Sequence, residues 1–146
     1  MILNFIILIL LITPISLLFH ELGHLLGAKH LKADRIVISI GSGKKIFSYN
    51  FNEMSIKIYL MIMFQAHTQS ERQPKFNNKE LAFITAMGPL FSLILTVFLG
   101  LLLCVITSEI IIYFFLFNLW LTITNLIPFK FKNQMSDGYL ILTLLK

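Results

Sequence analysis

The chain has 146 residues, 57% of them hydrophobic and 13% charged, with a mean hydropathy of +0.83, against about 25% charged residues in an ordinary soluble domain. That composition excludes a soluble globular protein. The net charge of +5 would suggest a nucleic-acid partner in a soluble chain, but here the placement of the charges points to the lipid bilayer instead and to no nucleic acid.

The predicted elements, in chain order, begin with an apolar span over residues 1–28. It has no basic region ahead of it and no small-residue cleavage site before His20, so it reads as a membrane helix and not as a signal peptide. Pro14 lies inside it and is expected to kink it. Gly23 and Gly27, four apart, would let another backbone come close. Residues 31–80 form a polar insertion. Within it Ile56, Ile58, Leu60, Ile62 and Phe64 alternate with Lys57, Tyr59, Met61 and Met63, as Phe47, Tyr49 and Phe51 also alternate, which is the period of a strand. Gly41-Ser42-Gly43 reads as a turn. A small β-sheet on the membrane surface is the expected outcome.

Two further spans follow, over residues 81–107 and 110–129, each long enough for a hydrocarbon core that takes about 20 helical residues. Gly88-Pro89 loosens the second helix for close packing, and Cys104 is read as packing within that span. Residues 130–146 form a connecting loop and a short C-terminal helix, a tail too short to cross the membrane at about 1.5 Å per residue. The fold expected is therefore an α-helical membrane protein with three transmembrane helices and a β-sheet insertion after the first, in one domain. Nine of the twelve lysines and arginines fall between the first and second spans, and the other three follow the third. The positive-inside rule then puts the N-terminus outside and both basic segments in the cytoplasm. The abundance of Ile, Lys, Asn and Phe suggests an AT-rich genome and a bacterial cell membrane.

His20-Glu21-Leu22-Gly23-His24 is an H-E-x-x-H sequence closing the first apolar helix. Residues four apart stack on one helical face, so both imidazoles can reach one ion, and Glu21 sits about 100° round toward its water. One zinc ion suits imidazole ligands and keeps a position open for water, whose proton Glu21 would accept. Chance can supply three fixed positions in five. Two histidines and a glutamate at membrane depth, however, are expensive unless they are functional.

With these residues in place the chain resembles the site-2 protease family of intramembrane zinc metalloproteases. The resemblance rests on His20-Glu21-Leu22-Gly23-His24, the β-rich segment with Gly41-Ser42-Gly43, Gly88-Pro89, and Asn125-Leu126-Ile127-Pro128 leading to Asp137-Gly138. It implies a three-helix catalytic core that cleaves a membrane-embedded substrate: a tethered regulator, a pheromone precursor or a signal-peptide remnant. It also implies His20, His24 and Asp137 as zinc ligands, Glu21 as general base, and Asn125 as a polar residue near the substrate. The chain departs from the family pattern in setting Pro128 and Asp137 nine positions apart, with Ser136 where a Leu is common and Ser92 where an Asn often stands. No PDZ or nucleotide-sensing segment is seen, so recognition would fall to the core, a homo-oligomer or a regulatory membrane partner.

Two histidines on one helix leave a zinc site short of the usual three protein ligands, and Asp137, His67, His30 and Glu53 are the choices. Asp137 follows the span that returns to the face where the first span ends, and Gly138 beside it permits close approach. Asn125 reads equally as a residue that satisfies backbone groups freed by Pro128. His30 and His67 are expected to be exposed, and Trp120 to face lipid. A substrate helix must unwind before cleavage, and an exposed edge of the Arg35 to Phe64 sheet could hold it as an added strand, with Tyr59 and Met61 as positions where proline would interfere. The competing classes are an inactive membrane scaffold, which needs no H-E-x-x-H, and a metal transporter or sensor, which would need an acidic relay along the spans.

Overall fold

The computed structural model describes residues 2–132 and 134–146, with the side chains of residues 62–65 left aside. The first span is one continuous helix from Ile2 to His30 built of α1 (Ile2–Ile7), a single widened π turn (Leu8–Ile12) and α2 (Thr13–His30). Pro14 explains the widening. Its ring cannot approach the carbonyl four residues back and it donates no N–H, so the ladder shifts to five-residue bonds. Thr13 donates both its N–H and its hydroxyl to the Leu8 carbonyl.

The insertion folds as two long strands, β1 (Arg35–Phe51) and β2 (Met54–Glu71). The strand assignment runs unbroken through Gly41 and Gly43, where the sequence reads as a turn. Their φ values of 90° and 87°, which glycine adopts freely, reverse the chain within the ladder. Residues 36–40 pair with 66–70 in the antiparallel sense and step alongside 54–58 in the same direction, while 47–51 pair back against 54–58. The sheet is therefore four segments side by side, in the order 47–51, 54–58, 35–40 and 66–71. Tyr59 and Met61 are paired with Lys45 and Ser42, and the outer segments of the sheet among the described residues are 47–51, which lies within the expected Arg35 to Phe64 sheet, and 66–71.

The alternation expected from Ile56 onward also resolves differently. Residues 56–59 are all half-buried because that segment has neighbours on both sides, and the side chains of Ile62 and Phe64 lie outside the described residues. True alternation belongs to Ile36 and Ile38. They point inward and join Leu25, Ala28, Ala33 and Ile84 in the buried cluster that fixes the sheet to the helices.

Helix α3 (Asn78–Leu103) begins with a capping box, in which Asn77 accepts from the Glu80 N–H and Glu80 accepts from the Asn77 N–H. Arg72 bonds Glu80 at 2.8 Å and the Leu31 carbonyl at 3.0 Å, so the start of α3 is tied to the end of α2. Helix α4 covers Glu109–Leu126, followed by a hairpin of β3 (Lys130–Phe131) and β4 (Gln134–Met135) and by α5 (Asp137–Leu144). Both later spans end earlier than expected. Cys104, expected inside the second span, instead caps α3 and is exposed.

The burial pattern is inverted relative to a soluble protein. Leu3, Val97, Leu101 and Trp120 are 54–66% exposed, while Ser16, Ser92, Thr96, Asn118 and Thr122 are at most 4% exposed. Lipid is the medium in which that arrangement is stable. Ser16, Thr96 and Thr122 each donate a hydroxyl to the carbonyl four residues back on their own helix. Across helices, Asn118 Nδ2 donates to Ser16 Oγ at 2.9 Å.

Close packing of α2 on α3 depends on Gly23 and Gly27. A Cβ on Gly23 would fall onto the Met87 carbonyl and lie 3.0 Å from the Gly88 Cα, and one on Gly27 would lie 3.2 Å from the Ile84 Cα. Gly23→Ala should therefore force the two backbones apart and cost roughly 1–3 kcal/mol, seen as a lowered Tm in detergent. Gly100→Ala, where the nearest atom is the Phe115 ring at 3.2 Å, should leave Tm nearly unchanged because that ring can yield.

Candidate metal centre

Helix α2 carries His20, Glu21 and His24, whose ligating atoms all lie within 4.8 Å of one another. The apolar run around them makes this stretch helical, and the four-residue spacing brings both rings to one side. The rings meet edge to face at 82°, with their Nε2 atoms 3.2 Å apart. His24 Nδ1 donates to the Ile84 carbonyl at 3.0 Å. A carbonyl can only accept, so Nδ1 holds the proton and Nε2 of the neutral ring presents its lone pair. His20 Nδ1 lies 2.9 Å from Ser92 Oγ, a hydroxyl that can accept or donate and that anchors the ring's orientation in either role.

Gly88 makes room for this pair. A Cβ there would collide with His24 Nε2 and lie 2.9 Å from His20 Nε2, so the α3 backbone forms the floor of the site.

Asp137 completes the cluster. Its Oδ2 is 3.1 Å from His20 Nε2 and 3.6 Å from His24 Nε2. Beyond the two imidazoles, Asp137 Oδ2 has no partner among the described residues, and Glu21 Oε2, also buried, has none among them. Two imidazole nitrogens and a carboxylate oxygen converging in this way form a donor set that fits a divalent ion such as zinc.

The long connection from Pro128 reaches Asp137 because it is clasped shut. The Ser136 hydroxyl donates to the Ile127 carbonyl at 2.7 Å and accepts from the Phe129 N–H at 3.0 Å. The Ser136 N–H in turn donates to the Phe129 carbonyl at 3.1 Å. The same hydroxyl caps α5 by accepting from the Tyr139 N–H. The residues between Phe129 and Ser136 are thereby extruded as the β3–β4 hairpin. Gly138, where a Cβ would strike the Leu126 carbonyl, lets the start of α5 press against the end of α4.

The other candidates lie elsewhere. His67 is exposed in the sheet, paired with Ser39. His30 is exposed beside the Phe83 ring, and Glu53 is exposed between β1 and β2. Asn125 is half-buried, and its side chain donates to the Leu121 carbonyl one turn back, so it does not fill the vacancy left by Pro128 and is not brought against the histidines by any hydrogen bond. Sequence reasoning missed the partners of the rings. Ser92 could have been found as the residue one helical turn beyond Gly88, on the face that meets His20. The Ile84 carbonyl carries no sequence signal.

A family model described as peptidase family M50 matches residues 5–110, most of the chain. The match takes in His20, Glu21, His24, Gly88 and Ser92, whereas Asn125 and Asp137 lie beyond it. No curated protein matches the chain.

Partners that orient metal-bound histidines typically matter 10–100-fold for affinity. Ser92→Ala should weaken metal binding by roughly that range, read by competition with a chromophoric chelator, while Tm of the apo-protein shifts little. Unchanged affinity would show that the Ser92 contact does not orient His20.

Proposed function

The chain belongs to peptidase family M50, the site-2 protease family, and from that premise we propose that it is an intramembrane zinc endopeptidase cutting a peptide bond in a membrane-embedded substrate. The observation that carries this reading is the approach of Asp137 Oδ2 to 3.1 and 3.6 Å from the two histidine Nε2 atoms, with the partnerless Glu21 Oε2 beside them. M50 peptidases are metal-dependent as a family. Zinc is the ion the donor set suits best, with His20, His24 and Asp137 as its ligands.

When bound, zinc would supply Lewis acidity, polarising the scissile carbonyl and making water a better nucleophile at neutral pH. The chain's own residues do the rest. Glu21, buried and without a partner, takes the proton of the attacking water and returns it to the leaving amine. The Ile84 carbonyl holds His24 in the required tautomer and Ser92 orients the His20 ring. Asn125, on the last turn of α4, is a candidate for contact with the substrate backbone.

The substrate must offer an unwound carbonyl, and segment 66–71 is suited to hold it as an added strand. Thr68 on that edge reaches the Glu21 carbonyl at 3.4 Å, so a strand laid there runs past the site. A transmembrane protein or peptide is the substrate class. The tethered regulator, the pheromone precursor and the signal-peptide remnant all fall within it.

Glu21→Gln should keep a full complement of zinc and lose cleavage of a transmembrane reporter substrate. Asp137→Asn should lower zinc affinity and cleavage together, and His67→Ala should leave both intact. Zinc retention by Asp137→Asn with loss in His67→Ala would overturn the ligand assignment.

For orientation, the helix order puts the sheet insertion and the β3–β4 hairpin at one end of the bundle and Glu109 at the other. With nine basic residues in the insertion region, the proposed topology is N-terminus outside and both basic segments cytoplasmic. Reporters near Asn77 and after Lys146 should read cytoplasmic and one at Ser108 external. A cytoplasmic reading at Ser108 would reverse the side on which substrates are cut.

A further inference from the structure

The β3–β4 hairpin takes no part in the metal cluster, and its surface is unlike that of a solvated loop. Phe131 is 66% exposed, Phe129 46% and Met135 41%, and Ile127 just before them is 53% exposed. Lys130 and Lys132 are interleaved with the two rings and are also exposed. Lys132 Nζ lies 5.6 Å from the centroid of the Phe131 ring, so cation and ring are presented together. Neither lysine makes an ion pair among the described residues.

The position of the hairpin is fixed by the chain. Helix α4 ends at Leu126 and β3 begins at Lys130, and the four residue steps from one to the other reach at most about 14 Å at 3.3–3.6 Å each. The hairpin therefore stands within a short reach of the end of an apolar helix. At that level a bilayer offers acyl carbonyls and headgroups, where aromatic rings settle and lysines reach outward to phosphate. We propose that the hairpin is an interfacial anchor for anionic lipid, with Phe129, Phe131 and Met135 in the acyl boundary and Lys130 and Lys132 on headgroup phosphates. A protein partner is the weaker fit, because the apolar patch is broken at alternate positions by unpaired cations, which an anionic headgroup layer satisfies and an apolar groove does not. This assignment rests on the membrane reading of α4 and not on the peptidase reading.

The test places an indole at the tip of the hairpin. Trp120 is the chain's one tryptophan, so Phe131→Trp in a Trp120→Phe background gives a single fluorophore in the intact protein, with Phe129→Trp as a second probe should the first fold poorly. The protein is reconstituted in vesicles of phosphatidylcholine alone or with phosphatidylglycerol, using acyl chains brominated near the headgroup. Strong quenching by the bromines, shielding from aqueous acrylamide and a clear increase with phosphatidylglycerol are expected. Adding Lys130→Glu and Lys132→Glu should cut the lipid-exposed fraction by roughly an order of magnitude. An indole open to acrylamide and untouched by bromolipid overturns the anchor. Shielding from both quenchers shows a protein cover and overturns it equally, and quenching indifferent to phosphatidylglycerol and to the charge reversals overturns the anionic-lipid assignment. Because no arm reads proteolysis, failure here leaves the enzymatic reading untouched, and loss of cleavage elsewhere leaves the anchor untouched.

Discussion

Two imidazole nitrogens 3.2 Å apart and a carboxylate oxygen within 3.6 Å of both cannot share a buried space unless positive charge lies between them, as protons or as an ion. The apolar surroundings screen the lone pairs poorly, so the cost of leaving that charge out is high. Much of the surrounding architecture follows from bringing the three atoms together. Gly88 clears the floor, Ser92 and the Ile84 carbonyl turn the rings, and the Ser136 clasp and Gly138 deliver the carboxylate from the far end of the chain.

The same solvent logic governs how the helices hold one another. Lipid tails give no hydrophobic reward for helix contact, so the bundle relies on close backbone approach and a few polar bonds, each worth about 0.6 kcal/mol on average. The Ser16–Asn118 pair is of this kind. The hydroxyls of Ser16, Thr96 and Thr122 spend their own hydrogen on their own helix, so they accept more than they donate. The consequence is visible at Asn118, whose Oδ1 is buried without a donor.

How much of this could be read from sequence varies with the physics involved. The spans were legible because lipid demands long apolar runs, and the pairing of His20 with His24 because helical period fixes it. The sheet was legible as strands but not as an arrangement. Alternation gives the period of a strand and says nothing of which segments become neighbours, so the central position of 54–58 and the outer position of 66–71 could not be foreseen. The long Pro128 to Asp137 spacing stood as a departure from the family pattern. It turned out to be an extruded hairpin, because one serine hydroxyl bonds both ends of the connection, and no pattern in Lys130 to Met135 announces that. The helix ends were overestimated because Val105, Ile106, Ile127 and Phe129 are apolar but not helical, and hydropathy alone does not see backbone termini.

The π turn has an effect on phase. On an uninterrupted helix Asn4 and Ser16, twelve residues apart, would point about 120° away from each other at 3.6 residues per turn. Absorbing one extra residue in the widened turn removes about 100° of that, leaving the two nearly in line. Both then meet α4, Asn4 at Glu109 with a 3.0 Å bond and Ser16 at Asn118 with one of 2.9 Å. A single helical wheel drawn from Ile2 to His30 assigns the outer third of the span to the wrong face, and what looks there like a stray asparagine in lipid is in register with the seam.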